Sequence, residues 1–212
     1  MTTDYVYNLI ILDESGSMES IKKSTISGFN ELVQTIKNIE KQYPEQKHFI
    51  SWVTFNGMGV KTKLDKQPVE ELSEINAKSY HPDSSTPLYD AIALSVLKLR
   101  MDIAGTDNVN VLVTILTDGE ENSSKEFNGS QVKKIIDEQK NLGWTFTYIG
   151  ANHDVEKAAL TLSIYNTMVF EANDADVHEM FSKEQASRVR YSEKIRNKIN
   201  PQEDFYKDED KV

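Results

Sequence analysis

Strand-like and helix-like segments alternate along the whole chain, and this alternation constrains the fold more than any other feature. The runs at residues 5–12, 49–55, 109–116, 144–149 and 167–170 are apolar and rich in β-branched or aromatic residues, which is typical of strands. Between most of them, apolar residues recur at three- and four-residue steps, as in amphipathic helices. Strands that alternate with helices in this way form a mostly parallel sheet with helices on both faces.

The turn at 56–59 and the alternating run at 60–64 add a short antiparallel strand, which is the third along the chain. We therefore expect an α/β fold with a doubly wound, six-stranded sheet of order 3-2-1-4-5-6. The predicted helices span residues 18–43, 68–75, 86–99, 130–142, 153–162 and 176–199. Because no internal repeat or low-complexity linker is visible, we expect one domain, residues 1–200, followed by an acidic, disordered tail, residues 201–212.

Composition narrows the classes of function. The chain has 212 residues and a net charge of −10, which argues against nucleic-acid binding because phosphate contacts need a basic face. It has no cysteine, which excludes disulfides, thiolate metal sites and cysteine nucleophiles. No run approaches the roughly 18 apolar residues that span a membrane, and the first apolar run has neither the basic flank nor the cleavage site of a signal peptide. We expect a cytoplasmic protein.

Oxygen-bearing side chains follow two of the predicted strands. The first strand ends on Asp13-Glu14-Ser15-Gly16-Ser17, and the fourth ends on Thr117-Asp118-Gly119. In the predicted sheet these strands are neighbours, and ligands bind where the direction of connection reverses between them. Two adjacent carboxylates repel each other unless a proton or a cation lies between them. Hard oxygen ligands suit Mg²⁺, Mn²⁺ or Ca²⁺, so the sequence predicts a site for such a cation.

Together with Thr86, these segments resemble the metal-ion-dependent adhesion site of von Willebrand factor type A domains. That motif is Asp-x-Ser-x-Ser, a distant Thr and a distant Asp, and all of its positions are present here in order. The sequence is most similar to stand-alone bacterial members of the family, and the succession of helices and strands fits over nearly the whole chain. The predicted metal-site residues are Asp13, Ser15, Ser17, Thr86 and Asp118.

The resemblance also implies a role for each residue. Ser15 and Ser17 would bind the cation, most readily Mg²⁺, through their hydroxyls, and Thr86 would bind it directly or through water. Asp13 and Asp118 would hold water molecules on the cation and supply negative charge. An Asp or Glu of a protein partner would complete the coordination. Bacterial relatives work beside MoxR-type ATPases, kinases, stress-response proteins or surface ligands.

The loops around this site are the candidates for selecting a partner. They span 56–59, 81–85, 120–128 and 151–154, and within or beside them Met58 and Tyr89 are candidates for the recognition surface. Four nearby acids, Asp83, Asp90, Glu120 and Glu121, are more typical of solvated side chains than of ligands. His81 and His153 are also left out, because hard-oxygen metals do not favour imidazole.

Each motif residue also has an ordinary structural interpretation. Ser17 and Thr86 both fit helix N-caps, and Asp118-Gly119 fits a turn.

At the level of function, a metal-dependent phosphoester hydrolase is one alternative, but the motif offers no His, Lys or Cys as base or nucleophile, and Ser15 replaces the second Asp of a phosphatase Asp-x-Asp. A metal-insensitive scaffold is the other alternative. We therefore expect a binding module and not an enzyme.

Overall fold

The sheet of the computed structural model has the order predicted from the sequence. The structure describes residues 3–72 and 74–207, and within these ranges six strands run in the order β3-β2-β1-β4-β5-β6. All neighbouring pairs are parallel except β2 and β3. The strands are β1 (Asp4–Asp13), β2 (Gln46–Asn56), β3 (Gly59–Pro68), β4 (Val109–Thr117), β5 (Thr145–Gly150) and β6 (Asn166–Val169).

Five α-helices in the described ranges connect and cover these strands. They are α1 (Lys22–Gln42), α2 (Leu88–Asp102), α3 (Gly129–Lys140), α4 (Val155–Thr161) and α5 (Asp174–Arg196), and a 3-10 turn, Gly16–Ile21, precedes α1. None of the described helices is long and apolar enough to cross a membrane.

The two faces of the sheet bury separate apolar cores. Along β1, Leu9 and Ile11 face α2, α3 and α4, whereas Ile10 and Leu12 face α1 and α5. This alternation follows from the two-residue period of a strand and explains why the central strands read as continuous apolar runs. The two tryptophans and the apolar stripe of α5 are buried in these cores: Trp52, Trp144, Val177, Met180 and Phe181.

The prediction of a helix at residues 68–75 is wrong. Residues Val69–Glu71 form a single 3-10 turn, and the chain beyond it is not helical where it is described. Side chains of α1 satisfy main-chain groups that a helix would have used. Asn30 bonds to both the N–H and the carbonyl of Ile75, and Lys37 Nζ donates to the carbonyl of Leu72 at 2.7 Å.

The described part of the predicted disordered tail, residues 201–207, packs on the domain. Phe205 is buried beside α5, and the Tyr206 hydroxyl donates to Glu184 at 2.7 Å. Gln202 donates to the carbonyls of Lys140 and Trp144. An aromatic pair within an acidic segment therefore provides enough apolar surface to order it. Residues 208–212 of the predicted tail lie outside the described residues.

A buried polar cluster joins α5 to the middle of the sheet. The Arg188 guanidinium donates to Glu184 (2.9 Å), Asn8 (2.7 Å) and Thr114 (2.6 Å), and its side chain is 2% exposed. Asn8 lies beside His48, whose Nε2 donates to Gln46 Oε1 at 3.2 Å. Because a buried charge is costly unless it is paired and hydrogen-bonded, this cluster fixes where α5 sits on the sheet.

The buried His48 predicts how stability depends on pH. Burial, reinforced by the positive charge of Arg188, lowers the pKa of His48 to about 3. The unfolded chain therefore binds a proton below about pH 6.5 that the folded chain does not, so the free energy of unfolding falls as the pH drops toward 3. We expect His48→Gln to flatten this fall in urea-unfolding curves recorded through that pH range. The control is His81→Gln, since His81 is exposed. If the free energy of unfolding of His48→Gln fell with pH as steeply as that of the wild type, the lowered pKa of His48 would be contradicted.

Candidate metal centre

The Asp13 carboxylate links the end of β1 to the end of β4. Its Oδ1 accepts from the Ser15 N–H at 2.7 Å, and its Oδ2 accepts from the Thr117 hydroxyl at 2.6 Å. Asp13 is fully buried, and burial raises the pKa of its carboxyl to about 6, against the lowering effect of these hydrogen bonds. The nearby Asp118 raises it further. A positive charge at this position would relieve both effects.

Ser15, Ser17 and Asp118 form a continuous set of oxygens beside Asp13. The two serine hydroxyls lie 3.3 Å apart, and Ser17 donates to Asp118 Oδ1 at 2.6 Å. The second oxygen, Asp118 Oδ2, is buried and has no hydrogen-bond partner. Burial raises the pKa of Asp118, against the effect of the Ser17 hydrogen bond. A buried carboxylate oxygen without a partner is rare and costly, which indicates that a further group belongs here.

Thr86 completes the set from the segment before α2. It is 4% exposed and lies across from Gly119. A methyl group at Gly119 would be 3.6 Å from the Thr86 hydroxyl and 4.0 Å from that of Ser17. The fold therefore brings all five predicted site residues together, although they come from three separate segments of the chain.

Neither helix start uses a site hydroxyl as a cap. The 3-10 turn starts after Ser15 and α2 starts after Pro87, and neither has a side-chain cap bond. The structure therefore does not support the N-cap interpretations of Ser17 and Thr86. Instead, the loop between β4 and α3 caps α2: Glu121 accepts from the Tyr89 N–H at 2.8 Å, and the Ser124 hydroxyl accepts from the Asp90 N–H at 3.1 Å.

The same loop holds Thr86 in place, which the sequence did not reveal. The Thr86 N–H donates to Asn122 Oδ1 at 2.9 Å, and the Asn122 N–H donates to the Thr86 carbonyl at 3.1 Å. Asp90 anchors the loop by accepting from three consecutive N–H groups, those of Lys125, Glu126 and Phe127. Asp90 is therefore a buried positioning residue and not the solvated acid expected from its type.

Glu14 plays a similar part on the other side of the site. It is 2% exposed, its side chain accepts from the His81 N–H at 2.6 Å, and its carbonyl accepts from the Asp83 N–H at 2.8 Å. The buried Tyr80 hydroxyl donates to the Asp13 carbonyl. These contacts fix the segment before Thr86 against the loop after β1. Hydrogen-bond acceptors of this kind carry no periodic pattern, so the sequence offers no signal for them.

The two nearby histidines are engaged elsewhere. His81 is exposed and its Nε2 donates to the Lys78 carbonyl at 2.8 Å. His153 Nδ1 donates to the Ala151 carbonyl at 2.6 Å, which leaves Nε2 to accept from the Tyr148 hydroxyl at 3.1 Å. Across the described ranges there is no group of three or more His, Cys, Asp or Glu side chains arranged to hold a metal. The candidate site instead combines two carboxylates with three hydroxyls.

The fold and the site define a doubly wound α/β domain with an oxygen-rich site at the switch point of its sheet. A sequence profile of the von Willebrand factor type A domain matches residues 9–184. The chain therefore belongs to the von Willebrand factor type A domain family, whose members often mediate protein–protein interactions and often bind a divalent cation. A search of curated proteins gave no match.

Solved structures share this fold at low sequence identity. The PilB minor pilin from Streptococcus sanguinis is 12% identical with a TM-score of 0.62; the match covers 90% of this chain and 62% of the pilin. The vWF domain of the type V pili tip protein Mfa5 from Porphyromonas gingivalis is 11% identical with a TM-score of 0.59, over 94% of this chain and 97% of that domain. Manganese-loaded TRAP from Plasmodium vivax is 14% identical with a TM-score of 0.55, and the match covers 85% of this chain and 74% of TRAP. At these identities the likeness shows the fold alone.

The anchoring of the Asn122 loop predicts the effect of removing Asp90. Asp90→Ala leaves the N–H groups of residues 125–127 without their acceptor, so we expect the free energy of unfolding to fall by about 3 kcal/mol. In native-state hydrogen exchange, these three amides should lose more protection than the rest of the domain. The control is Asp107→Ala, an exposed acid at the amino end of β4, which should change stability by less than about 0.5 kcal/mol. Unchanged exchange at residues 125–127 would contradict the role of Asp90.

Proposed function

We propose that this domain binds a protein partner through a divalent cation held at the carboxyl end of its sheet. The observation that carries the proposal is the buried Asp118 Oδ2, which has no hydrogen-bond partner and lies on the carboxylate that accepts from Ser17. Mg²⁺ is the first candidate, with Mn²⁺ and Ca²⁺ as alternatives, since all the available ligands are hard oxygens.

The residues divide naturally between two tasks. Ser15, Ser17 and Thr86 offer neutral hydroxyls that no helix cap uses. Asp13 and Asp118 supply negative charge behind them, and the hydrogen bonds of Asp13 to Ser15 and Thr117 keep its carboxylate in place. Mg²⁺ keeps several water molecules and accepts few direct protein ligands, so hydroxyl ligation with carboxylates nearby suits it. A cation held mainly by neutral ligands stays attractive to an Asp or Glu of the partner.

The contacts around the site favour binding over catalysis. A general base needs an accessible proton-accepting atom beside the substrate. Both oxygens of Asp13 already accept hydrogen bonds, and both nitrogens of His153 are engaged. Asp118 Oδ2 has no partner, but it is buried and therefore not accessible as a base. The five site residues themselves include no histidine, lysine or cysteine. We therefore propose a binding module and not a phosphoester hydrolase.

The family supports the same function. Von Willebrand factor type A domains often mediate protein–protein interactions, and one structural neighbour, TRAP, was solved loaded with manganese. Neither fact identifies the partner of this chain. The ATPases, kinases and stress-response proteins that work beside bacterial relatives are candidates to test.

Cation binding should stabilise the folded chain. A ligand that binds only the folded state raises the free energy of unfolding by about 2.7 kcal/mol when its concentration is about a hundredfold above its dissociation constant. We expect Mg²⁺ to raise the melting temperature of the wild type, and EDTA to reverse the rise. Ser15→Ala/Ser17→Ala and Asp118→Ala should show no such rise, because each removes oxygens of the site.

Ser20→Ala is the matched control for this experiment. Its hydroxyl lies in the same 3-10 turn but donates to the Ser17 carbonyl, so the variant should respond to Mg²⁺ like the wild type. A melting temperature of the wild type that is indifferent to Mg²⁺, Mn²⁺ and EDTA would contradict the metal site.

The partner can be sought by affinity capture from a lysate of the source cells. Tagged wild type is used in Mg²⁺ and in EDTA, and Ser15→Ala/Ser17→Ala is used in Mg²⁺. A protein captured only by the wild type in Mg²⁺ is the result that the proposal predicts. Proteins captured equally in all three conditions would place partner binding on another surface.

A further inference from the structure

One large apolar side chain stands exposed beside the candidate metal centre. Met58, in the turn between β2 and β3, is 62% exposed. The other exposed large apolar residues of the described ranges lie outside the loops that carry or contact the five site residues. An isolated exposed apolar residue is common on protein surfaces and needs no explanation by itself. Met58 is relevant because its turn is fixed next to the site.

The turn that carries Met58 is fixed to both sides of the site. Asn56 accepts from the Met58 N–H at 3.0 Å and donates to the Glu14 carbonyl at 3.3 Å, which ties the turn to the loop after β1. Gly57 packs so closely on the segment before Thr86 that a methyl group there would lie 2.2 Å from the Ser84 hydroxyl and 2.5 Å from that of Ser85. The main chain of the turn is therefore held in place next to the metal-site loops, and Met58 is displayed from it toward solvent.

The charges around the site have mostly one sign. The loops that carry or border the five site residues expose five acids, which we call the acidic ring: Glu19, Asp83, Glu120, Glu126 and Asp154. Lys125 is the one exposed lysine or arginine within residues 14–21, 56–59, 81–87, 118–128 and 151–154, all of which the structure describes. Exposed Lys78 lies three residues before this set, and Lys63 pairs with Glu14 at 3.7 Å. Lys22, at the start of α1, pairs with Glu19 at 3.4 Å and offsets part of this charge. The acidic ring would repel an acidic partner surface, whereas the cation would attract a single carboxylate.

We propose that the partner presents its carboxylate from a basic segment and places an apolar side chain beside it, against Met58. This proposal rests on the metal-dependent binding proposed above and defines the chemistry of the partner for the same site. The cation binds the carboxylate, the acidic ring attracts the flanking lysines or arginines, and Met58 provides a flexible, polarisable apolar contact. Acidic segments are rejected because only one of their charges can reach the cation.

Short end-blocked peptides test this selectivity on the whole chain. The first has a central Asp, flanking lysines and an adjacent Leu; the second has Ser in place of Leu, and the third has Glu in place of each Lys. Binding is measured by fluorescence anisotropy at physiological salt. We expect the first peptide to bind in Mg²⁺ and its binding to be lost in EDTA. The second should bind about tenfold more weakly, and the third should bind too weakly to detect.

Variants of the chain assign each preference to its residues. Met58→Ser should weaken binding of the Leu peptide by about tenfold and leave binding of the Ser peptide unchanged. Met58→Leu should retain the preference for the Leu peptide over the Ser peptide. Glu19→Lys/Glu120→Lys should weaken binding of the lysine-flanked peptide and strengthen binding of the glutamate-flanked peptide. Asp107→Lys, at the opposite end of β4, changes the charge of the chain without changing the acidic ring and should leave the order of the peptides unchanged.

The outcomes separate this inference from the function on which it rests. Calorimetry first establishes whether the chain binds Mg²⁺. If it does, then equal binding of the lysine- and glutamate-flanked peptides, binding that survives EDTA, or no binding by any peptide overturns the proposed partner chemistry. If the chain binds no Mg²⁺, the metal-dependent function itself is wrong.

Discussion

The buried Asp13 carboxylate is the interaction on which the rest of the site depends. One oxygen accepts from the loop after β1 and the other accepts from Thr117 at the end of β4, so a single side chain joins the two strands between which the sheet reverses direction. Parallel pairing keeps Leu12 level with Leu116, and this register brings Asp118 to within reach of Ser17. A doubly wound sheet thus creates the site through its topology, and the motif residues only need to occupy the ends of the right strands.

Three further carboxylates hold the segments around the site in place. Glu121 caps α2, Asp90 anchors the loop after β4, and Glu14 holds the segment before Thr86. Because Glu121 satisfies the Tyr89 N–H at the start of α2, Thr86 is not needed as a cap there. The net charge of −10 thus includes buried acids that hydrogen-bond to the main chain as well as the exposed acidic ring. The same side-chain type plays two parts, and only its surroundings distinguish them.

The strand order and the convergence of the five site residues could be predicted because each rests on a pattern: apolar runs, helical spacing and a motif at strand ends. The roles of Asp90, Glu121 and Asn122 could not, since their partners are main-chain groups of a loop. The helix predicted at 68–75 failed because Asn30 and Lys37 of α1 satisfy that segment instead. The order of residues 201–207 depends on Phe205 and Tyr206 meeting α5, a tertiary contact that composition hides.

The most direct test of the metal centre is anomalous diffraction at the manganese edge, from crystals of the wild type grown with Mn²⁺. Mn²⁺ prefers the same oxygen ligands as Mg²⁺ and can be located without ambiguity. We predict one strong peak within coordination distance of the Ser15 and Ser17 hydroxyls and facing Asp118 Oδ2, and we predict that this peak is absent from Ser15→Ala/Ser17→Ala crystals. A well-ordered wild-type site without manganese, or a peak held by other residues, would contradict the account.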